Sequence, residues 1–224
     1  PAIVADSYVS TTRMNGAVAL STRGVSIPIH VSSADYIGVR RAAGDLRAGV
    51  ERVTGVAPML TADTLPRSRE VVLIGTLGRS PLIDSLVAER KLDVRQVAGR
   101  WETFVLQVVE KPRRGIDRAL VIAGSDKRGT IYGIYDLSQE NGVSPWYWWA
   151  DVPTRKSTDL FVAAGRHTRG TPAVKYRGIF LNDEAPALSG WTREKFGGFN
   201  HQFYEKVFEL VLRLKGNYLW PAMW

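Results

Sequence analysis

The run Ile179-Phe180-Leu181-Asn182-Asp183-Glu184 changes within one step from an apolar, strand-like segment to an amide and two carboxylates. Pro186, two residues on, prevents regular structure from simply continuing. Amides and carboxylates bind ring hydroxyls in pairs, and two carboxyl groups can serve as acid and base at a glycosidic bond. Adjacent strand residues point to opposite faces, so Asp183 and Glu184 do not form such a dyad with each other. A partner carboxylate must come from another strand. Trp220 and Trp224 end a second strand-like segment, "NYLWPAMW". Indole faces suit the apolar C–H faces of a pyranose. By residue type alone, Asp183 or Glu184 would also serve as a loop cap or as partner to an arginine, and the tryptophans as core.

The elements around these residues form a strand–helix–strand unit. "VKYRGIFL" reads as a strand, and "NHQFYEKVFELVLRLKG" as an amphipathic helix with Phe203, Val207, Leu210, Val211 and Leu214 on one side. Asn200 is the expected N-cap and Gly216 the expected residue at C′. Strand, crossover helix and strand make one βαβ unit, which cannot bury both faces of its sheet alone. In a (β/α)₈ barrel, functional residues sit where strands end and βα loops begin, the place held by Asn182, Asp183, Glu184, Trp220 and Trp224. Arg177 lies lower on the first strand, within reach of a substrate group or of a structural ion pair.

Upstream the pattern is α/β. "AIVA", "AVAL" and "VSIPIHV" read as strands. A helix follows, with Ser32 and Asp35 as a capping box and Gly55 as its stop. "EVVLIGTLG" is a strand, "SPLIDSLVAERKL" a helix capped by Ser80, "WETFVLQVVE" and "RALVIAGS" are strands, and "KRGTIYGIYDLSQENG" is a helix. Strands alternating with helices predict an α/β domain with a parallel or mixed sheet over 1–165. A linker is expected at 166–175, and 176–224 reads as the incomplete opening of a barrel.

The composition narrows the chemistry. The 224 residues contain no cysteine, which excludes disulfides and thiolate chemistry, and three scattered histidines argue against a histidine metal site. The formal charge of +8 is spread out rather than gathered into a stripe interleaved with aromatics, which reads as a solvated surface. The chain opens on Pro1, consistent with processing or trimming. "WYWW" at 146–149 reads as a hydrophobic plug between domains or as a sugar platform. "IGTLGRSP" has the glycines of a loose phosphate loop without a nucleotide-binding fingerprint.

"GSDKRGTIYGIYDLSQENGVSPWYWWADVP" and "YRGIFLNDEAPALSGW" through "NYLWPAMW" resemble the N-terminal part of glycoside hydrolase family 115, the xylan α-1,2-glucuronidases. The resemblance is close after residue 120 and weaker before it. It implies a small α/β N-terminal domain followed by the first βαβ unit of a catalytic (β/α)₈ TIM barrel. It further implies a secreted or periplasmic enzyme, often a homodimer, that needs no cofactor and removes 4-O-methyl-D-glucuronic acid from glucuronoxylan or aldouronic acid oligosaccharides with inversion. Asn182, Asp183 and Glu184 would lie at the uronic-acid pocket, with Asp183 as the residue whose loss abolishes activity. Trp220 and Trp224 would line the cleft, and Arg177 could reach it. The principal acid and base would stand on later strands, so the 224-residue portion alone is expected to be inactive.

Three other readings remain open on sequence grounds. A non-catalytic xylan-binding module would use the Trp146, Trp148 and Trp149 cluster. A related uronidase or hexosaminidase would share the layout. A nucleic-acid binder would use the charge, although no helix combines a basic face with base-reading side chains. Neither nucleic acid nor membrane is the expected partner.

Overall fold

The computed structural model describes residues 7–223; the strand expected at "AIVA" and Trp224 lie outside the described residues. The chain divides into two compact units, 1–172 and 173–224.

The first unit runs β1 (Val9–Ser10), β2 (Val18–Thr22), β3 (Val25–Ser26), β4 (Ile29–Val31), α1 (Ile37–Thr54), β5 (Leu60–Thr61), β6 (Glu70–Thr76), α2 (Pro81–Ala88), β7 (Phe104–Arg113), β8 (Ile116–Gly124), α3 (Lys127–Glu140), β9 (Leu160–Val162) and β10 (Arg166–His167). Its main sheet has the order β10-β7-β8-β6-β4-β5. The strands β5, β4, β6 and β8 run parallel to one another, β7 runs antiparallel to β8, and β10 pairs antiparallel with β7. The sheet is therefore mixed, as expected for an α/β layer. Its antiparallel part arises because "WETFVLQVVE" and "RALVIAGS" join directly through a tight turn, leaving no room for a crossover helix. Arg166 and His167, placed in the linker by composition, add the edge strand β10.

Alternation along the strands sorts the two faces. Val71, Leu73, Val105, Ala119 and Val121 pack with Ile83 and Leu86 of α2. Ile122 and Phe104 instead meet α3, whose backbone at Gly133 comes so close that a Cβ there would lie 2.9 Å from Ile122 Cγ2. A second, antiparallel sheet, β1-β9-β2-β3, takes in Leu160–Val162 from the Pro- and Thr-containing stretch that follows α3. Pro28 splits "VSIPIHV" into β3 and β4.

The capping box does not form. The α1 helix starts at Ile37, after Tyr36, with no side-chain cap, and Ser32 Oγ accepts from Ala34 N, at 3.2 Å, outside the helix. Asp35 is buried, and its carboxylate accepts from Tyr36 N at 2.7 Å, Thr76 N at 2.7 Å and Thr76 Oγ1 at 2.9 Å. A tertiary demand at the end of β6 has taken the side chain that local sequence would give to a helix terminus. Gly55 ends α1 as expected, left-handed at φ 80°.

The second unit contains β11 (Gly178–Phe180), α4 (Ala187–Phe196), α5 (His201–Arg213) and β12 (Tyr218–Trp220). The two strands pair in parallel, so the unit is the start of a barrel with a crossover of two helices rather than one. α4 begins directly after Pro186. Proline interrupts the preceding extended chain, but at the start of a helix its missing N–H costs nothing, so the same residue stops one element and admits the next. Asn200 caps α5 as expected, with its Oδ1 accepting from Gln202 N at 3.1 Å and Phe203 N at 3.2 Å. Among the described residues, no helix is long and apolar enough to cross a membrane.

Candidate functional site

The register Gly178↔Tyr218, Ile179↔Leu219 and Phe180↔Trp220 sets which side chains share a face. Ile179 and Leu219 are half-buried, whereas Phe180, Tyr218 and Trp220 are exposed. Phe180 and Trp220 meet edge to face at 5.5 Å, and Tyr176 meets Tyr218 the same way at 6.3 Å. One face of the strand pair is thus an open aromatic surface that ends at Trp220. Sequence reasoning singled out Trp220 and missed Phe180. The available signal was that strand partners two residues from a polar strand end share a face.

Beyond the strands, Leu181 N donates to Trp220 O at 3.0 Å, which carries the pairing to the strand ends. The polar cluster follows. Asn182 and Glu184 are exposed, and Asn182 Oδ1 accepts from Glu184 N at 3.2 Å in a local turn. Asp183 is different, with only 5% of its surface exposed. Its Oδ2 accepts from Met223 N at 2.5 Å, so the carboxylate ties the loop after β11 to the chain after β12. The two neighbours of Asp183 thus face solvent while Asp183 turns inward, as alternation requires.

Arg177 is not brought to this cluster. It precedes β11, at the opposite end of the strand, and its Nε donates to Lys215 O at 2.9 Å and its Nη1 to Val174 O at 2.7 Å. Its backbone N donates to Asn217 Oδ1 at 3.0 Å. The structure thus brings Asn182, Asp183, Glu184 and Trp220 to one end of the strand pair and leaves Arg177 as a brace at the other. Trp224 lies outside the described residues. Below the strand ends, Glu209 and Arg213 form a buried pair along α5 at 2.8 Å. Burying both charges demands this geometry, since either alone would be uncompensated.

In "WYWW", Trp148 and Trp149 pack edge to face at 4.9 Å, and the Arg52 guanidinium lies 4.9 Å from the Tyr147 ring. In "IGTLGRSP", Thr76 N and Oγ1 are taken by Asp35, and Leu77 N donates to Gly124 O at 3.0 Å. These backbone donors hold the fold together instead of pointing at a phosphate. Among the described residues, no group of three His, Asp or Glu side chains could hold a metal ion.

Residues 169–224 match the model of glycosyl hydrolase family 115, and residues 22–137 match that of the glycosyl hydrolase family 67 N-terminus. No curated protein matches the sequence. Among solved structures, the family GH115 4-O-methyl-alpha-glucuronidase BtGH115A, described as specific for decorated arabinogalactans, superposes with a TM-score of 0.74 at 32% identity. The match takes in 92% of this chain and 26% of that one, so this chain spans about a quarter of its relative. A mutant Streptomyces plicatus beta-hexosaminidase matches with a TM-score of 0.50 at 16% identity, over 91% of this chain and 30% of its own. At that identity the likeness concerns the fold alone. The chain is thus a glycosyl hydrolase family 115-like N-terminal portion, in which a glycosyl hydrolase family 67 N-terminal domain leads into the start of a barrel.

Proposed function

We propose that this chain is the N-terminal portion of a secreted or periplasmic glycoside hydrolase that removes (4-O-methyl)-D-glucuronic acid from the α-1,2-decorated xylose of glucuronoxylan. The observation that carries the reading is the convergence of Asn182, Asp183, Glu184 and Trp220 at the C-terminal ends of the two parallel strands within the stretch matching family 115. Such strand ends are where barrel enzymes keep their reacting groups.

In this reading the exposed Asn182 and Glu184 bind sugar hydroxyls, and Trp220 covers a ring face. Asp183 orients a substrate hydroxyl or the attacking water, while its bond to Met223 N fixes the carboxylate. The reaction inverts the anomeric centre, with a carboxylic acid protonating the leaving oxygen and a carboxylate activating water on the opposite face. At least one of those groups comes from a strand other than β11, because Asp183 and Glu184 diverge. The enzyme works as a homodimer without a cofactor.

The test uses the protein extended past Trp224, incubated with glucuronoxylan and followed by proton NMR from the earliest times. Free (methyl)glucuronic acid appearing first as the β anomer supports both substrate and inversion. A folded protein that releases none sinks the reading. A second substrate has a specific observation behind it, since the relative at 32% identity is described as acting on decorated arabinogalactans. Release from an arabinogalactan bearing uronic acid, with none from glucuronoxylan, would favour that polymer.

A further inference from the structure

The first unit carries a cleft of about 390 Å³ where the loop 65–69 meets the β7–β8 turn, with Arg114, Gly115 and Ile116 completing its wall. Its chemistry is arginine over an apolar floor. Arg67, Arg69 and Arg114 are exposed, Leu65 is half-buried, and Ile116 is buried. The loop is held in place: Asp117 N and Arg118 N donate to Arg69 O at 2.8 and 3.2 Å, and Ser68 Oγ donates to Glu70 O at 2.6 Å.

The surrounding arginines have carboxylate partners. Arg69 faces Asp117 at 3.6 Å, Arg113 faces Glu89 at 3.0 Å, and Arg118 faces Glu70 at 3.6 Å. Among the described residues, Arg67 and Arg114 pair with no carboxylate, although they stand on two segments lining the same cleft. A second cleft, of about 470 Å³, continues from the shared residues Arg114 to Ile116 towards Lys91 and Lys111. Carboxylates line this second cleft as well, Glu89 and Asp117 standing beside Lys91, Lys111 and Arg113.

A guanidinium presents a planar fork that matches a carboxylate with two parallel hydrogen bonds. Two unpaired forks beside an apolar floor fit an anion carried on a ring with an apolar face, which describes a uronate residue. We propose that this cleft is a second, non-hydrolytic subsite for the uronate groups of an acidic polysaccharide, with Arg67 and Arg114 clamping the carboxylate and Ile116 beneath the sugar. The choice of uronate rests on the function proposed above; the need for an anion does not.

The test is calorimetric titration of the chain, at physiological ionic strength, with glucuronoxylan and with the same polymer after chemical reduction of its uronic acids to neutral glucose units. Binding to the native polymer and not to the reduced one is expected. Arg67→Gln with Arg114→Gln should weaken it at least about tenfold, as loss of bidentate charge-assisted bonds implies. The same charge change at exposed Arg100 and Arg193 should weaken it less than about twofold, because screening limits what distant charges contribute. Equal binding to the reduced polymer, or equal losses in the two double variants, overturns the proposal. Tighter binding of single-stranded DNA through Arg67 and Arg114 overturns it in favour of nucleic acid. If the extended protein releases no uronic acid while uronate-dependent binding persists, the hydrolytic reading fails and the cleft stands. Release of uronic acid without uronate-dependent binding sinks the cleft alone.

Discussion

The Asp183 carboxylate accepts the backbone N–H of Met223, so a residue just past β11 holds the chain just past β12. This bond makes Asp183 a loop tie, a role separable from the sugar-binding role proposed for it. Any acceptor oxygen of the right reach can keep the two strand-end loops together. Only a charged carboxylate can bind a sugar hydroxyl strongly while opposing the positive charge that develops at an anomeric carbon as its leaving group departs.

Asp183→Asn separates these roles, because the amide retains an oxygen for Met223 N. In the extended enzyme it is expected to lower kcat by about a hundredfold or more, the scale of a lost electrostatic contact in a transition state. Thermal stability should change little. Asp183→Ala should abolish turnover and also cost about 1–3 kcal/mol, because a partly buried N–H loses its acceptor. Steady-state kinetics and melts on both variants decide the matter. Full activity in Asp183→Asn would leave the residue as a loop tie only.

Asp35 gives a purely structural prediction. Its buried carboxylate serves Thr76 N and Thr76 Oγ1 as well as Tyr36 N. Asp35→Ala should therefore destabilise the first unit by about 3 kcal/mol, the penalty of orphaning buried donors. Ser32→Ala, at the position the sequence offers as the helix cap, should cost less than about 0.5 kcal/mol. Denaturant titrations of the two variants check the contrast, and equal losses would restore the capping box.

Which parts of the molecule could be read in advance follows from how local their causes are. The α2 and α5 caps at Ser80 and Asn200 were legible because a single side chain satisfies N–H groups two or three residues away. Asp35 was misread because its partner lies 41 residues downstream, and no local pattern reports a contact at that distance. The same holds for the candidate site. The change from Leu181 to Asn182 marks a strand end in sequence, but the inward turn of Asp183 depends on Met223, and the pairing of Phe180 with Trp220 depends on register. Arg177 read as reaching either a substrate group or an ion-pair partner because its acceptors are backbone carbonyls, which a sequence does not display as partners.

His30 predicts a pH dependence. Its ring is buried, with Nδ1 3.0 Å from Thr61 Oγ1, and burial holds its pKa below the usual 6.5. As pH falls through 6.5 the unfolded chain takes up this proton before the folded one does. Stability from the neutral ring is thus present above that point and is lost as pH falls, until the folded ring also protonates. His30→Asn keeps a polar group near Thr61 but cannot titrate, so its stability should change less between about pH 7 and pH 5. Parallel denaturant midpoints across that range provide the measurement. Identical slopes in the two proteins would show that His30 protonates equally in both states.

The end of α5 inverts a sequence expectation and yields the last prediction. Gly216 was expected to be the left-handed residue at C′, but that conformation falls to Lys215, at φ 58°. Lys215 N donates to Leu212 O at 3.0 Å and Gly216 N to Val211 O at 2.7 Å, closing the helix by paired bonds. Gly216 is needed for another reason. A Cβ there would lie 2.9 Å from Val211 Cγ1 and 3.1 Å from Arg177 O, where the chain turns in to meet β11. Lys215→Gly should therefore stabilise the second unit by about 1 kcal/mol, by removing the left-handed penalty of an L-residue. Gly216→Ala should destabilise it by about 1–3 kcal/mol, through crowding against backbone that cannot yield cheaply. Melting curves of the two single variants test the assignment, and the opposite order of stabilities would return the left-handed position to Gly216.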